Sequence, residues 1–277
     1  MRKKSNMKEN TIINELNDQE YHSRPEISKH GLDVVHKCPA MFKHSRTAPK
    51  EEPSPAMLFG SLAHLAVLEP DKFETQAYVL PKLDRRTKEG KAEYEYHQSQ
   101  AIGKTIISQA EKEQLDGMVA AIKADKLAAN LLYGIASTES SLFWVDPVEE
   151  VECRARLDAI RHDGFIIDYK TCDDASQAGF SKSVFNFRYH VQAAYYCDAL
   201  ELITGNPSKG FIFLAQEKKP PYLTAIYTVP PALMELGRRE YKKDLETYAK
   251  CLFEDQWPGY TQGWTDLVVP SWLKLNE

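Results

Sequence analysis

Cysteine is scarce in this 277-residue sequence and badly placed for a framework. The five residues, Cys38, Cys153, Cys172, Cys197 and Cys251, are odd in number, scattered, and include no CxxC pair. That argues against a disulfide scaffold, a cysteine zinc site and iron–sulfur cluster ligation, and points to a reducing cytoplasm. Long apolar runs are also missing. No stretch approaches the roughly 18 residues of a membrane span. The basic start, MRKKSNMKEN, is followed by no apolar core of a secretory leader. Repeats and low-complexity tracts are absent. Basic charge is not in excess either: 35 Lys and Arg face 40 Asp and Glu, for a net charge of −5. Such a balance argues against coating nucleic acid along the whole surface. It does not exclude an enzyme that gathers acidic residues at a metal and basic ones only where phosphates run.

What is present is ordinary for a globular protein: 43% hydrophobic and 27% charged residues. The length suits one large α/β domain. Residues 1–24 are polar and are expected to be flexible, leaving 25–277 as a single domain with a helical region (25–135) and a sheet core (136–255). Ser28 is an N-cap candidate for a helix carrying Leu32 and Val35, which Pro39 interrupts. Residues 45–55 read as a loop. A helix over 56–68 is stopped by Glu69-Pro70, and a longer one over 92–132 is expected to break near Gly103 and Gly117. Short β-type runs follow at 141–145, 151–160 and 165–171. After them come a helix over 190–204, two strands at 210–216 and 222–229, and a final helix over 231–253. An aromatic tail closes the sequence with Trp257, Tyr260, Trp264 and Trp272. Helices, a strand cluster, then helix, strands and helix predict an α/β fold, a central mixed sheet flanked by helices with a helical N-terminal portion.

The densest chemistry lies in 154–171, RARLDAIRHDGFIIDYKT. Asp163-Gly164 is a turn signal, so the stretch reads as a β-hairpin. A three-residue loop, His162-Asp163-Gly164, pairs Arg161 with Phe165 and sets Asp158 opposite Asp168, with Cβ atoms about 5 Å apart. A two-residue loop would throw the two carboxylates onto opposite faces. Lys170, two residues beyond Asp168, shares its face. Like charges at that distance repel unless a cation lies between them. Mg²⁺, with Mn²⁺ as a substitute, suits a few carboxylate oxygens plus water and phosphate. Asp158 and Asp168 are then metal ligands, and Lys170 orients a water or stabilises developing negative charge. Taken alone, the same residues also fit a solvent-facing hairpin with an Asp168–Arg156 pair.

Asp158…Asp168-Tyr169-Lys170, followed by Gln192-Ala193-Ala194-Tyr195-Tyr196, resembles the D…D-x-K…Q-x-x-x-Y set of RecB-like nucleases in the PD-(D/E)xK superfamily. Residues 59–70 (FGSLAHLAVLEP) and 84–91 (DRRTKEGK), with Ile27-Ser28-Lys29 and Glu217-Lys218, resemble the nuclease domain of the exodeoxyribonuclease VIII (RecE-type) family of prophage recombination exonucleases. The resemblance runs over roughly residues 20–255. It implies a PD-(D/E)xK nuclease fold and a Mg²⁺-dependent exonuclease acting 5′ to 3′ on linear double-stranded DNA ends. It also implies a single-strand annealing partner, and by analogy a homo-oligomeric ring. By the same resemblance His64 joins the metal site, and Gln192 and Tyr196 support catalysis. Glu139 is a weak candidate for an acidic residue ahead of the central strands. Arg85, Arg86, Lys88 and Lys91 are the nucleic-acid-binding candidates. Alone, each feature has an ordinary counterpart: a core histidine among Leu62, Leu65 and Leu68, a polar helix face, a solvated charged loop. Two other readings remain open, an endonuclease or structure-specific nuclease on the same core, and a DNA-binding module without chemistry.

Overall fold

A computed structural model describes residues 10–49, 52–261, 263–264 and 266–269. Residues 1–9 and Trp272 lie outside the described residues. Strand β1 (Thr11–Ile13) and helix α1 (Asp18–Ser23) come first. Ser28 accepts the Gly31 N–H to cap α2 (Lys29–Lys37), and Pro39 opens α3 (Pro39–Ser45). Ser54 caps α4 (Pro55–Leu68), and Glu69-Pro70 separates it from α5 (Pro70–Gln76). Then come β2 (Ala77–Leu80), α6 (Lys88–Gln100), β3 (Thr105–Ser108), α7 (Gln109–Ala124) and α8 (Lys126–Tyr133). The second half holds β4 (Ile135–Val145), β5 (Glu152–Arg161), β6 (Phe165–Cys172), α9 (Gln177–Asn186), α10 (Tyr189–Thr204), β7 (Gly210–Glu217), β8 (Thr224–Thr228) and α11 (Pro231–Glu254).

The six-stranded sheet has the order β1-β4-β5-β6-β7-β8, antiparallel except for the parallel pair β6–β7. A parallel pair needs a crossover, and α9 and α10 supply it. Helices cover both faces. On one face α2, α10 and α11 bury Leu32, Val191, Tyr195 and Leu245 against Leu142, Leu157 and Phe213. On the other, α4 and α7 bury Leu62, Ala63, Leu115 and Met118 against Ala159, Ile167, Tyr169 and Leu214. A Cβ at Gly237 would meet the His190 carbonyl oxygen at 2.3 Å, so α11 lies against the α10 backbone only because that residue has no side chain.

Three expectations are corrected. First, part of the segment expected to be flexible takes up regular structure: β1 pairs with β4, and α1 is held by Arg156, which pairs with Asp18 and donates to the Leu16 carbonyl at 2.8 Å. The Arg154 and Arg156 guanidinium groups lie 4.8 and 4.1 Å from the Tyr21 ring centroid. Polar composition hid this, because the anchors come from β5, far along the chain. Second, the 92–132 helix breaks near Gly103 as expected, but a strand that was not expected follows: in β3, Ile106 and Ile107 pair in parallel with Tyr78 and Val79. Its next break is at Asp125, whose carboxylate caps α8. Gly117 stays inside α7, and a Cβ there would lie 2.4 Å from the Tyr222 ring, so this glycine admits a neighbour rather than ending a helix. Third, α9 was not expected; its Phe180 and Val184 are buried.

One irregularity positions the chemistry. Along β5, Cys153, Ala155 and Leu157 enter the first core, but Ala159 enters the second. Side-chain alternation therefore changes phase at Asp158. β5 turns there, and Asp158 sits where the two faces meet.

Candidate active site

The hairpin has the register expected of a three-residue loop. Ala159 pairs with Ile167 and Ile160 with Ile166, Gly164 has φ +89°, and its N–H donates to the Arg161 carbonyl at 3.0 Å. The same register sets Asp158 opposite Asp168. At that rung a side chain replaces main chain: the Tyr169 N–H donates to Asp158 Oδ2 at 2.9 Å.

Asp168 is 1% exposed. Its Oδ1 accepts from Gln192 Nε2 at 2.5 Å, and Lys170 Nζ lies 2.6 Å from Oδ2. The two form a buried ion pair. Burial disfavours the Lys170 ammonium, yet the Asp168 and Asp158 charges outweigh it and hold its pKa above the ordinary lysine value. Lys170 is thus a firm cation. Tyr196, one turn beyond Gln192 on α10, is half-buried against Phe211, and burial raises its phenol well above the usual pKa.

Helix α4 brings His64 to the same place. Its Nδ1 lies 3.3 Å from Asp158 Oδ2, and its ring meets the Tyr169 ring edge-on with centroids 5.1 Å apart. Burial, then the Lys170 charge, lower its pKa to about 4. It is therefore a neutral imidazole with a lone pair to offer. Gly60, one turn earlier, leaves space: a Cβ there would find only Thr171 Oγ1 within 4 Å, at 3.9 Å.

Glu139, the weakest sequence candidate, is central. The β4–β5 ladder pairs Thr138 with Ala159 and Ser140 with Leu157, which sets Glu139 opposite Asp158. Its φ is +48°, a left-handed conformation unusual for a strand residue. Ligand atoms of His64, Glu139 and Asp158 all lie within 4.8 Å of one another. Burial first and the Asp158 charge second raise the Glu139 pKa to about 8. Burial raises Asp158, and it raises Asp168 to about 6 against the opposing pull of Lys170. Arg156 Nε stands 4.0 Å from Glu139 Oε2. Sequence reasoning offered Arg156 only as a partner of Asp168, whereas it faces Asp18 and Glu139, and it gave Tyr169 no role. The only available signal was their spacing, two residues before Asp158 and one after Asp168.

The basic candidates make local contacts. Arg85 lies over the Tyr94 ring at 4.0 Å, Arg86 pairs with Asp84 at 3.1 Å, and Lys88 and Lys91 occupy the first turn of α6. These contacts of Arg85 and Arg86 stay within residues 84–94, and the carboxylate cluster has no share in them.

The donor set suits a divalent cation. One neutral imidazole and two carboxylates converge beside buried Asp168, and burial raises the pKa of Glu139, Asp158 and Asp168 alike. Several acidic groups desolvated together are costly unless positive charge joins them.

A mixed sheet between helices, with D…D-x-K across its central hairpin and a glutamine on α10 braced against the second aspartate, defines the PD-(D/E)xK class of fold. Residues 28–265 match the PDDEXK-like domain of unknown function (DUF3799), and the chain belongs to that family. No curated protein matches the sequence. Among solved structures, the chain is similar to a protein from Eubacterium rectale named "Putative exonuclease", with a TM-score of 0.64 at 14% identity over 92% of this chain and 96% of that one. At that identity the likeness concerns the fold. A second structure, SSO0001, aligns with a TM-score of only 0.28 at 15% identity over 76% of this chain and 84% of that one, too low to carry weight.

Proposed function

We propose that this chain is a Mg²⁺-dependent deoxyribonuclease that hydrolyses phosphodiester bonds, acting as an exonuclease on the ends of linear double-stranded DNA. The observation that carries the proposal is the convergence of His64, Glu139 and Asp158 within 4.8 Å of one another beside the Asp168–Lys170 pair. His64, Glu139, Asp158 and Asp168 would hold the ion. A divalent cation held there would supply Lewis-acid polarisation of the scissile phosphate and a more acidic water. Lys170, kept protonated by its two carboxylate neighbours, donates to the phosphate oxygen on which negative charge builds. Gln192 fixes the Asp168 carboxylate by donating to Oδ1, and Tyr196 backs Gln192 from the next turn. Tyr169 aims Asp158 through its backbone N–H and supports the His64 ring with its own. Arg85, Arg86, Lys88 and Lys91 are proposed to contact the DNA backbone away from the cut.

The finer assignments come from the resemblance to RecE-type enzymes. These are 5′-to-3′ polarity, delivery of single strands to an annealing protein in prophage-type recombination, and a ring of subunits around the duplex. The test is an assay on end-labelled linear duplex and on covalently closed circular duplex, in Mg²⁺, Mn²⁺ and EDTA. Cleavage of the linear form alone, abolished by EDTA and by Asp168→Ala, supports an exonuclease. Cutting of the circle would make it an endonuclease. Binding without cleavage in either metal would leave a DNA-binding module.

A further inference from the structure

Two aromatic rings lead from the surface to Lys170. Helix α9 ends at Asn186 and α10 begins at Tyr189, so the connection is only Phe187-Arg188. Phe187 is 59% exposed, and its ring stacks on Tyr189 with centroids 5.5 Å apart and planes 25° from parallel. The Tyr189 ring centroid in turn lies 4.8 Å from Lys170 Nζ. A large apolar ring left in solvent is unremarkable alone. This one is continuous with the group proposed to meet the phosphate.

The backbone that presents it is held under constraint. Arg188, between the two rings, has φ +52° and ψ +41°, a left-handed conformation that L side chains seldom adopt. Its guanidinium, 14% exposed, reaches Asp33 at 2.8 Å, Asp244 at 2.6 Å and Glu240 at 3.2 Å. On the other side, Lys29 Nζ bridges Asp33 at 2.7 Å and donates to the Phe187 carbonyl at 2.8 Å. Residues from α2 and α11 therefore clamp a strained two-residue turn whose visible effect is to stack Phe187 outward on Tyr189. Over-determined strain of this kind concentrates where a side chain must be aimed.

We propose that Phe187 is a stacking platform for an unpaired nucleobase of the strand whose phosphate lies at Asp168 and Lys170. The proposal rests on the nuclease function given above and adds to it a preference for single-stranded or frayed ends. Every base has a π-face, so such a platform is indifferent to sequence. Phe187, Tyr189 and Lys170 follow one another at 5.5 and 4.8 Å, steps within the reach of neighbouring nucleotides of one strand. Lys170 supplies the positive charge at the phosphate end of this path.

The test uses the full chain and duplexes with a short single-stranded end, carrying 2-aminopurine at one terminal position at a time, in Ca²⁺ to bind without cleavage. Wild-type protein is expected to quench the fluorophore at one position. Phe187→Ala should lose that quenching and bind about 5- to 150-fold more weakly, the range of base–aromatic stacking, and Phe187→Trp should restore both. An abasic site at the same position should erase the difference between wild type and Phe187→Ala. Equal weakening on the abasic end would mean that the loss comes through Tyr189 and Lys170, and would overturn the platform. So would unchanged quenching in Phe187→Ala, no binding by wild type, or an effect that follows protein concentration as self-association does. Failure of the nuclease function is read separately, as quenching that persists while wild type in Mg²⁺ cuts nothing.

Discussion

Glu139→Gln should change the sign of its effect on stability with the presence of metal. In the metal-free protein the carboxyl has a pKa of about 8 instead of the usual 4.5, through burial and then the Asp158 charge. A carboxyl whose pKa is raised in the fold contributes stability that is fully present below about pH 4.5 and is lost as pH rises through about 8. Above pH 8 the folded protein carries an ionised Glu139 next to Asp158. Each tenfold change in proton affinity is about 1.4 kcal/mol, which puts the upper limit at about 4–5 kcal/mol. The side chain is 25% exposed. With solvent screening and a repulsion shared with Asp158, about 1–3 kcal/mol is expected. Glutamine carries the same backbone strain at φ +48°, so the comparison isolates the charge. In EDTA at pH 8.5, Glu139→Gln should therefore melt several degrees higher than wild type, at about 2–4 °C per kcal/mol for a chain of this size. In Mg²⁺ at 100 times its Kd, wild type gains about 2.7 kcal/mol. The variant should lose most of that gain and nearly all cleavage. The assay is urea or thermal denaturation from pH 6 to 9, with and without metal, beside nuclease rates. Lower stability of the variant in EDTA at pH 8.5, combined with an undiminished Mg²⁺ shift, would remove Glu139 from the metal site.

Lys170→Ala should slow cleavage by about 10²–10³-fold, the scale for losing one transition-state donor, while calorimetry shows metal affinity largely intact; lost binding would assign Lys170 a structural role. His64→Ala should change Tm little and cut activity sharply, with partial recovery in Mn²⁺, which accepts imidazole more readily; a steep fall in Tm at full specific activity would return His64 to the core. Tyr169→Phe removes the 2.6 Å hydrogen bond to buried Gln216 but keeps the ring and the N–H that hold His64 and Asp158. It should lose about 1–3 kcal/mol of stability with kcat within a few-fold, and a collapse of kcat would show that the hydroxyl acts on the site.

Much of the site was legible because it is local. Asp163-Gly164 marked the turn, a three-residue loop there gave the register, and period-two alternation did the rest. That is why Asp158 and Asp168 could be paired from the sequence. Cap residue Ser28 and the stops at Pro39 and Glu69-Pro70 marked helix ends for the same reason. Gln192 and His64 were placed by resemblance, which reports a constellation without explaining it.

The rest depended on contacts that no window of sequence contains. β3 is a strand because β2 lies beside it, and α1 stays down because Arg156 crosses from β5 to hold it. The phase change at Asp158 is invisible in an alternation pattern, since it records which face each half of β5 packs against. Glu139 shows the limit most clearly. Nothing about a glutamate between Thr138 and Ser140 announces a left-handed backbone, and it becomes a candidate ligand only because β4 sets it opposite Asp158 while α4 delivers His64 from the other side. Sequence alone determined the hairpin and its two aspartates, because turn chemistry and pleat act over a few residues. Tertiary structure alone decided how many ligands meet there, because charge, burial and backbone strain are set by strands and helices distant along the chain.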